Sequence, residues 1–224
     1  MYSPLIDFDL HIDGANLIGV DEVGRGSLAG PVVAAASHFV ELKSLSSDYD
    51  WPLTIKDSKQ LSKKKRTELN ERLRNKSTWG IGFSSVEEIN QIGILSATLL
   101  AMDRAINSVK SKTERKEFCL LVDGITRIPD LKYQQKTIVR GDSMSFHIAA
   151  ASIIAKVERD QYMKQLSIDF PDYDWESNAG YGTIKHRQAI LKYGPTEHHR
   201  LKFLRKLTAQ EVQTKLSINQ KQFS

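Results

Sequence analysis

One pattern constrains this sequence more than any other, and it occurs three times. An apolar stretch or a turn delivers a carboxylate with glycine close by, in Val20-Asp21-Glu22, Val122-Asp123-Gly124 and Gly141-Asp142. Apolar residues next to an acid anchor the backbone in a core while the side chain faces a cleft. Around the first acids, the apolar runs Leu17–Val20 and Pro31–Val40 are joined by a Gly-rich connection. That order predicts strand, tight turn, strand, with the acids at the end of the first strand. Trp79–Ser84, Phe118–Val122 and Thr137–Val139 read as further strands. Between them, Ser62 can cap a helix running to about Arg74, with Leu69 and Leu73 on one face. Ile92, Leu95, Leu99, Met102, Ile106 and Val109 recur at helical spacing, which predicts one helix with that face in the core. Ser143 or Ser145 can cap a helix from Phe146 to about Leu166 whose nearly uncharged opening turns must be buried. A Gly-rich loop, Asn178–Thr183, precedes a helix near Ile184–Lys192. Early strands in hairpin order and later strands alternating with helices predict an α/β fold, a mixed sheet with helices packed on it.

Carboxylates that converge repel one another and raise each other's pKa unless a cation intervenes. Mg²⁺ resolves such a conflict with oxygen ligands and retained waters. Two ions about 4 Å apart can activate a water and stabilise a leaving oxygen in phosphodiester cleavage. No His or Cys spacing suits structural zinc. Taken singly, each acid has an ordinary alternative as a turn or capping residue, and only the combination points to a metal centre. Directly behind the first pair stands Gly24-Arg25-Gly26. Glycines let a sugar-phosphate approach closely, and an arginine there offers a forked donor set. The loop lacks the Gly-Lys-Ser/Thr ending of a P-loop and the third glycine of a dinucleotide fingerprint, and a plain tight hairpin also accounts for it.

Charge is placed unevenly. Lys56–Lys76 carries nine basic residues against three acids, and Arg200–Ser224 carries six against one, on a chain of net charge +5. Two basic patches suit a polyanion, because neutralising phosphates releases counterions. Cys119, the single cysteine, lies in an apolar run and excludes a disulfide framework. No apolar run reaches the length of a membrane span, and the acidic start does not read as a secretory signal, so a cytoplasmic protein is expected.

These segments together resemble the type 2 ribonucleases H, and among them bacterial-type ribonuclease HII. The resemblance runs through Gly19–Gly26, Leu28–Ala36, Asp57–Ser62, Val122–Gly124, Gly141-Asp142, Ile148–Val157, Gly180–Thr183 and Gly194–Thr196, in the family's order, from roughly Leu17 to Phe203. It implies a ribonuclease H-like five-stranded mixed sheet flanked by helices, with a helical C-terminal segment. It implies an endonuclease that hydrolyses RNA paired to DNA and cuts 5′ of ribonucleotides embedded in duplex DNA. By the same resemblance Asp21, Glu22, Asp123 and Asp142 are the carboxylates that bind two Mg²⁺ or Mn²⁺ ions. Gly24, Arg25 and Gly26 contact the ribonucleotide, and Tyr181 packs on the neighbouring deoxyribose. Ser58 and Lys59 are further candidates for gripping phosphate, with helix capping an equal alternative. Three positions depart from the family pattern: Ser27 stands where proline is frequent, Arg140 where lysine is common, and His147 where a smaller or aliphatic residue is usual. The short segment before the first strand favours HII over HIII, which carries a large N-terminal domain. Lys156 is a candidate salt-bridge partner of the acids, while His186, His198 and His199 lack metal-ligand spacing. The expected organisation is a catalytic domain over residues 1–198 and a basic helical extension over 199–224, in a monomer acting on nucleic acid. A non-catalytic nucleic-acid binder and a different nuclease on the same fold are the rivals.

Overall fold

The computed structural model describes residues 3–12, 16–48, 50–55, 61–205 and 207. Five strands form one mixed sheet: β1 (Leu17–Val23), β2 (Val32–His38), β3 (Thr78–Ser84), β4 (Cys119–Asp123) and β5 (Gln134–Ile138). Their order across the sheet is β3-β2-β1-β4-β5. The first three strands pair antiparallel, whereas β4 runs parallel to both β1 and β5. The predicted hairpin and mixed sheet are therefore present.

The helices are α1 (Pro4–Leu10), α2 (Leu42–Asp48), α3 (Lys63–Lys76), α4 (Val86–Ile92), α5 (Ile94–Lys110), α6 (Phe146–Asp169), α7 (Trp175–Asn178) and α8 (Ile184–Tyr193). Residues 201–205 are also helical. Strand alternation divides the core between the two sheet faces. Ile18, Val20, Ala34, Ala36, Leu120 and Val122 face α5. On the other face α6 packs with α1 and α3, and its first ten residues are all buried, as their lack of charge demands. Ser145 rather than Ser143 caps α6, accepting from the Ile148 amide, and Ser62 caps α3 by the same geometry.

The expected helix from Ile92 is corrected. Gly93, at φ 83, divides it, so Ile92 ends α4 and only Ile94–Lys110 continues. Ile92 and Leu95 are exposed, and the buried face is built from Ala97, Ala101, Met102, Ala105, Ile106 and Val109. Small residues at 97, 101 and 105 let α5 lie close on the sheet, which an apolar-stripe reading overlooks. The strand expected at Thr137–Val139 lies earlier, and Val139 is exposed beyond its end. Several of the described residues after 198 enter the body of the protein. His199 and Arg200 are buried, and Leu204 and Leu207 join a cluster with Ala29, Met163, Tyr173 and Trp175.

Candidate active site

Register brings the acids together. Val20 of β1 pairs with Val122 of the parallel β4, so the residues that follow, Asp21 and Asp123, leave adjacent strands side by side. One carboxylate oxygen from each of Asp21, Glu22 and Asp123 lies within 4.8 Å of the others. Asp21 is buried, and its Oδ1 accepts from the Glu22 amide at 2.7 Å. Helix α6 adds a hydrogen bond to Asp21 from Ser152. Burial, with Glu22 and Asp123 beside it, holds the Asp21 carboxyl well above the usual carboxylate range. Burial also raises Glu22, against the pull of Arg25, whose Nη1 is 3.4 Å from Glu22 Oε1. Asp21 and Glu22, which disfavour their own ionisation, stand with Asp123 as an oxygen donor set whose charge a divalent cation would meet. The residues fit such an ion.

Asp142 is not part of that 4.8 Å group. The Gly141 amide donates to Asp123 Oδ1 at 2.6 Å, so the turn carrying Asp142 is tied to the cluster. Arg140 enters this turn in the left-handed region, at φ 55. A non-glycine residue held there stores strain, which is found where the surroundings over-determine a functional geometry.

The loop after β1 explains its two glycines differently. Gly24 has φ 93, and a Cβ on it would overlap the Arg159 guanidinium. Gly26 has neither a positive φ nor any neighbour within 4 Å of an added Cβ. Gly24 is therefore required by the protein's own packing. Gly26 borders open space, where an approaching backbone would need the room.

Beneath this loop lie two residues that the sequence reading passes over, Arg159 and Arg200, both fully buried. Arg159 donates to Pro31 O (3.0 Å), Ala179 O (2.8 Å), Ala29 O (3.1 Å) and Ser27 Oγ (2.8 Å). Arg200 donates to Gly30 O (2.9 Å), Gly24 O (2.7 Å) and Arg25 O (3.0 Å). Their partners are backbone carbonyls and one hydroxyl, and among the described residues neither forms a salt bridge. Burial lowers the Arg159 pKa, and burial beside Arg159 pushes Arg200 down to about 9. Ser27 fits here as more than a departure from the family: its hydroxyl donates to Gly24 O and accepts from Arg159.

Tyr181 lies over Arg159, with the guanidinium carbon 5.6 Å from the ring centroid. Its segment is stitched to the first loop, since the Leu28 amide donates to Gly180 O at 2.8 Å. A histidine pair supports it from behind. Thr196 N–H donates to His199 Nδ1, which puts the His199 proton on Nε2, facing His186 Nε2 at 3.2 Å. His186 Nε2 also accepts from the Trp175 indole, so its own proton sits on Nδ1 and goes to Tyr181 O at 2.9 Å. Both rings are neutral in this arrangement. Burial first, then His186 and His198, lowers His199 to about 4.

Two other sequence expectations resolve plainly. Lys156 pairs with Asp160 at 2.7 Å, not with the acid cluster, because it sits one turn beyond Ser152 where α3 packs and Arg66 shares the same acid. His147 is a structural contact: its amide and Nδ1 both bond Asp9 Oδ2, which joins α1 to α6. Ser58 and Lys59 lie outside the described residues.

A family model for Ribonuclease HII matches residues 18–207. The ribonuclease HII of Ehrlichia canis (strain Jake) is 49% identical over 187 residues, 84% of this chain and 85% of that one. The ribonuclease HII of Fusobacterium nucleatum is 48% identical over 217 residues, 96% of this chain and 97% of its own. A chain of the solved PCNA:RNase HII complex from Archaeoglobus fulgidus shares 25% identity and a TM-score of 0.61, covering 82% of this chain and 93% of that chain.

Proposed function

This chain belongs to the ribonuclease HII family and is a ribonuclease H acting on nucleic acid, and we propose that it cuts on the 5′ side of a ribonucleotide. The substrates in this reading are RNA strands paired to DNA and ribonucleotides embedded in duplex DNA, and the products carry 3′-hydroxyl and 5′-phosphate ends. The observation that carries it is the adjacency of three converging carboxylates to an open-faced glycine-arginine-glycine loop.

In this reading Asp21, Glu22, Asp123 and Asp142 hold Mg²⁺ or Mn²⁺. Two such ions supply an activated water and charge stabilisation at the departing 3′ oxygen. The protein's own part is positioning. Ser152 and the Glu22 amide fix one carboxylate, Asp21. The Gly141 amide fixes another, Asp123. Arg25, half exposed and only loosely paired with Glu22, can swing to a substrate phosphate. The Gly26 side of the loop admits the ribose, whose 2′-hydroxyl is what distinguishes RNA from DNA at one site. Tyr181, exposed at the far side of Arg159, offers a ring to a sugar lacking that hydroxyl. Ser58, Lys59 and the basic residues after Arg200 are proposed to grip the duplex backbone. A monomeric enzyme of the cytoplasm, removing ribonucleotides during DNA replication and repair, completes the reading, with the catalytic domain expected over residues 1–198 drawn out to include His199 and Arg200.

The test is Asp123→Asn. Metal-dependent cleavage of a hybrid should fall at least ~10³-fold while hybrid binding persists; near-normal cleavage would remove the acid cluster from the chemistry.

A further inference from the structure

We propose that Arg159 and Arg200 are positioning residues for ribonucleotide recognition, acting by holding carbonyl groups of residues 24–31 inward so that the Arg25 and Gly26 amides face the substrate. The inference rests on the function proposed above and deepens it.

The argument begins with peptide planarity. In a trans peptide the C=O and the N–H point in opposite directions, and among the described residues no peptide bond is cis. Arg200 Nη1 draws Gly24 O and Arg25 O towards the buried interior at 2.7 and 3.0 Å. The amides of the same two peptide units, those of Arg25 and Gly26, must then point the other way. Among the described residues neither amide has an acceptor. An added Cβ on Gly26 would meet no atom within 4 Å, so space is open beside these donors. Two unspent donors on the open side of a loop beside a carboxylate cluster form a hydroxyl- or phosphate-reading surface.

Arg159 extends the same device across two segments. It holds Ala29 O and Pro31 O from the first loop and Ala179 O from the Tyr181 segment, and it lies under the Tyr181 ring. One guanidinium thus ties the base of the first loop to the segment whose ring would meet the next sugar. Ordinary fold support does not account for a pair of buried arginines spent almost wholly on carbonyls of these two segments. A buried cation without an acid partner is costly, and a packed apolar side chain would serve stability better. Lysine cannot replace either residue, because its single ammonium cannot span a fan of carbonyls.

The experiment uses Arg159→Lys, Arg200→Lys and Ser27→Ala, the last removing one Arg159 acceptor while sparing both cations. Each is made in the active enzyme and in an Asp123→Asn background that binds without cutting. Affinity is measured for two duplexes of one sequence, all DNA and with a single ribonucleotide, alongside kcat, KM and Tm. Wild type should prefer the ribonucleotide duplex. The lysine variants should lose ~10-fold or more of that preference, with affinity for plain duplex DNA held and KM at the single ribonucleotide raised more than kcat is lowered. Ser27→Ala should lose a smaller part, ~2–5-fold. A purely structural role would lower Tm and weaken both duplexes alike, and folded variants that keep the wild-type preference overturn the proposal. If the lysine variants do not fold, Ser27→Ala decides alone: an unchanged preference overturns it. Absence of any preference in wild type overturns the function proposed above, and this inference falls with it.

Discussion

The carboxylate cluster and the arginine pair flank the same short loop and treat buried charge in opposite ways. Asp21, Glu22 and Asp123 are brought together with few internal donors, and their repulsion is left for something outside the chain to settle. Arg159 and Arg200 are settled from within, by carbonyls and one hydroxyl, and of their guanidinium nitrogens Arg200 Nη2 is the one buried without a partner among the described residues. The acids are thus built to be completed on binding, whereas the arginines are complete beforehand and serve as scaffold. Preorganised donors cost nothing to reorient when substrate arrives, which is where such rigidity has value.

The contrast can be broken most severely at the loop itself. Gly24→Ala should destabilise the protein by ~3 kcal/mol or more, because its φ of 93 and the Arg159 guanidinium both exclude a Cβ. Gly26→Ala should leave stability within ~0.5 kcal/mol yet cut activity ~10–100-fold, since only substrate occupies that space. Denaturant unfolding beside kinetics separates the two. Equal stability losses would mean that the open side of the loop is an ordinary packed surface.

A smaller effect tests the scaffold side. His199 is buried neutral with its pKa lowered to about 4 from 6.5. A base with a depressed folded pKa contributes stability above its unfolded pKa, and this is lost as pH falls towards the folded value. Wild type should therefore lose about 2 kcal/mol more than His199→Gln between pH 7 and pH 5. The loss should be accompanied by weakened binding through the Tyr181 segment, to which His186 is bonded. Parallel pH profiles for the two proteins would remove the histidine pair from that role.

The smallest effect belongs to the acid side and has the opposite sign. Asp21 has a raised folded pKa, so the folded state holds its proton more tightly, and its contribution declines as pH rises from 3.8 through the folded value. Metal-free Asp21→Asn should be more stable than wild type at neutral pH, by about 1 kcal/mol or a few degrees in Tm. Added Mg²⁺ should stabilise wild type more than the variant. A variant less stable than wild type without metal would contradict the reading of repelling carboxylates.

Legibility followed the same divide. The acids could be read because each ends an apolar run, a local signal, and strand register then set Asp21 beside Asp123. The mixed sheet was legible from hairpin order and from runs such as Phe118–Val122. Arg159 was not legible, since it follows Glu158 and precedes Asp160 in a stretch that looks like a solvated helix face. Arg200 was hidden likewise at the head of a basic tail. Their partners are carbonyls, which every residue carries, so no side-chain pattern marks them. Asp9 and His147 were beyond reach for another reason: a contact spanning 138 positions leaves no local trace. At Gly93 a single left-handed residue divided a helix that apolar spacing alone would continue.

The central claim is that the cluster and the loop act as one centre that cuts beside ribose. Its most direct measurement is a map of the cut in labelled duplexes of one sequence containing no, one or several ribonucleotides, with Mg²⁺ present. The predicted result is no cleavage of plain DNA and a single incision 5′ of the lone ribonucleotide, leaving a 3′-hydroxyl. Cleavage of the plain duplex, or incision unrelated to the ribonucleotide's position, would contradict it.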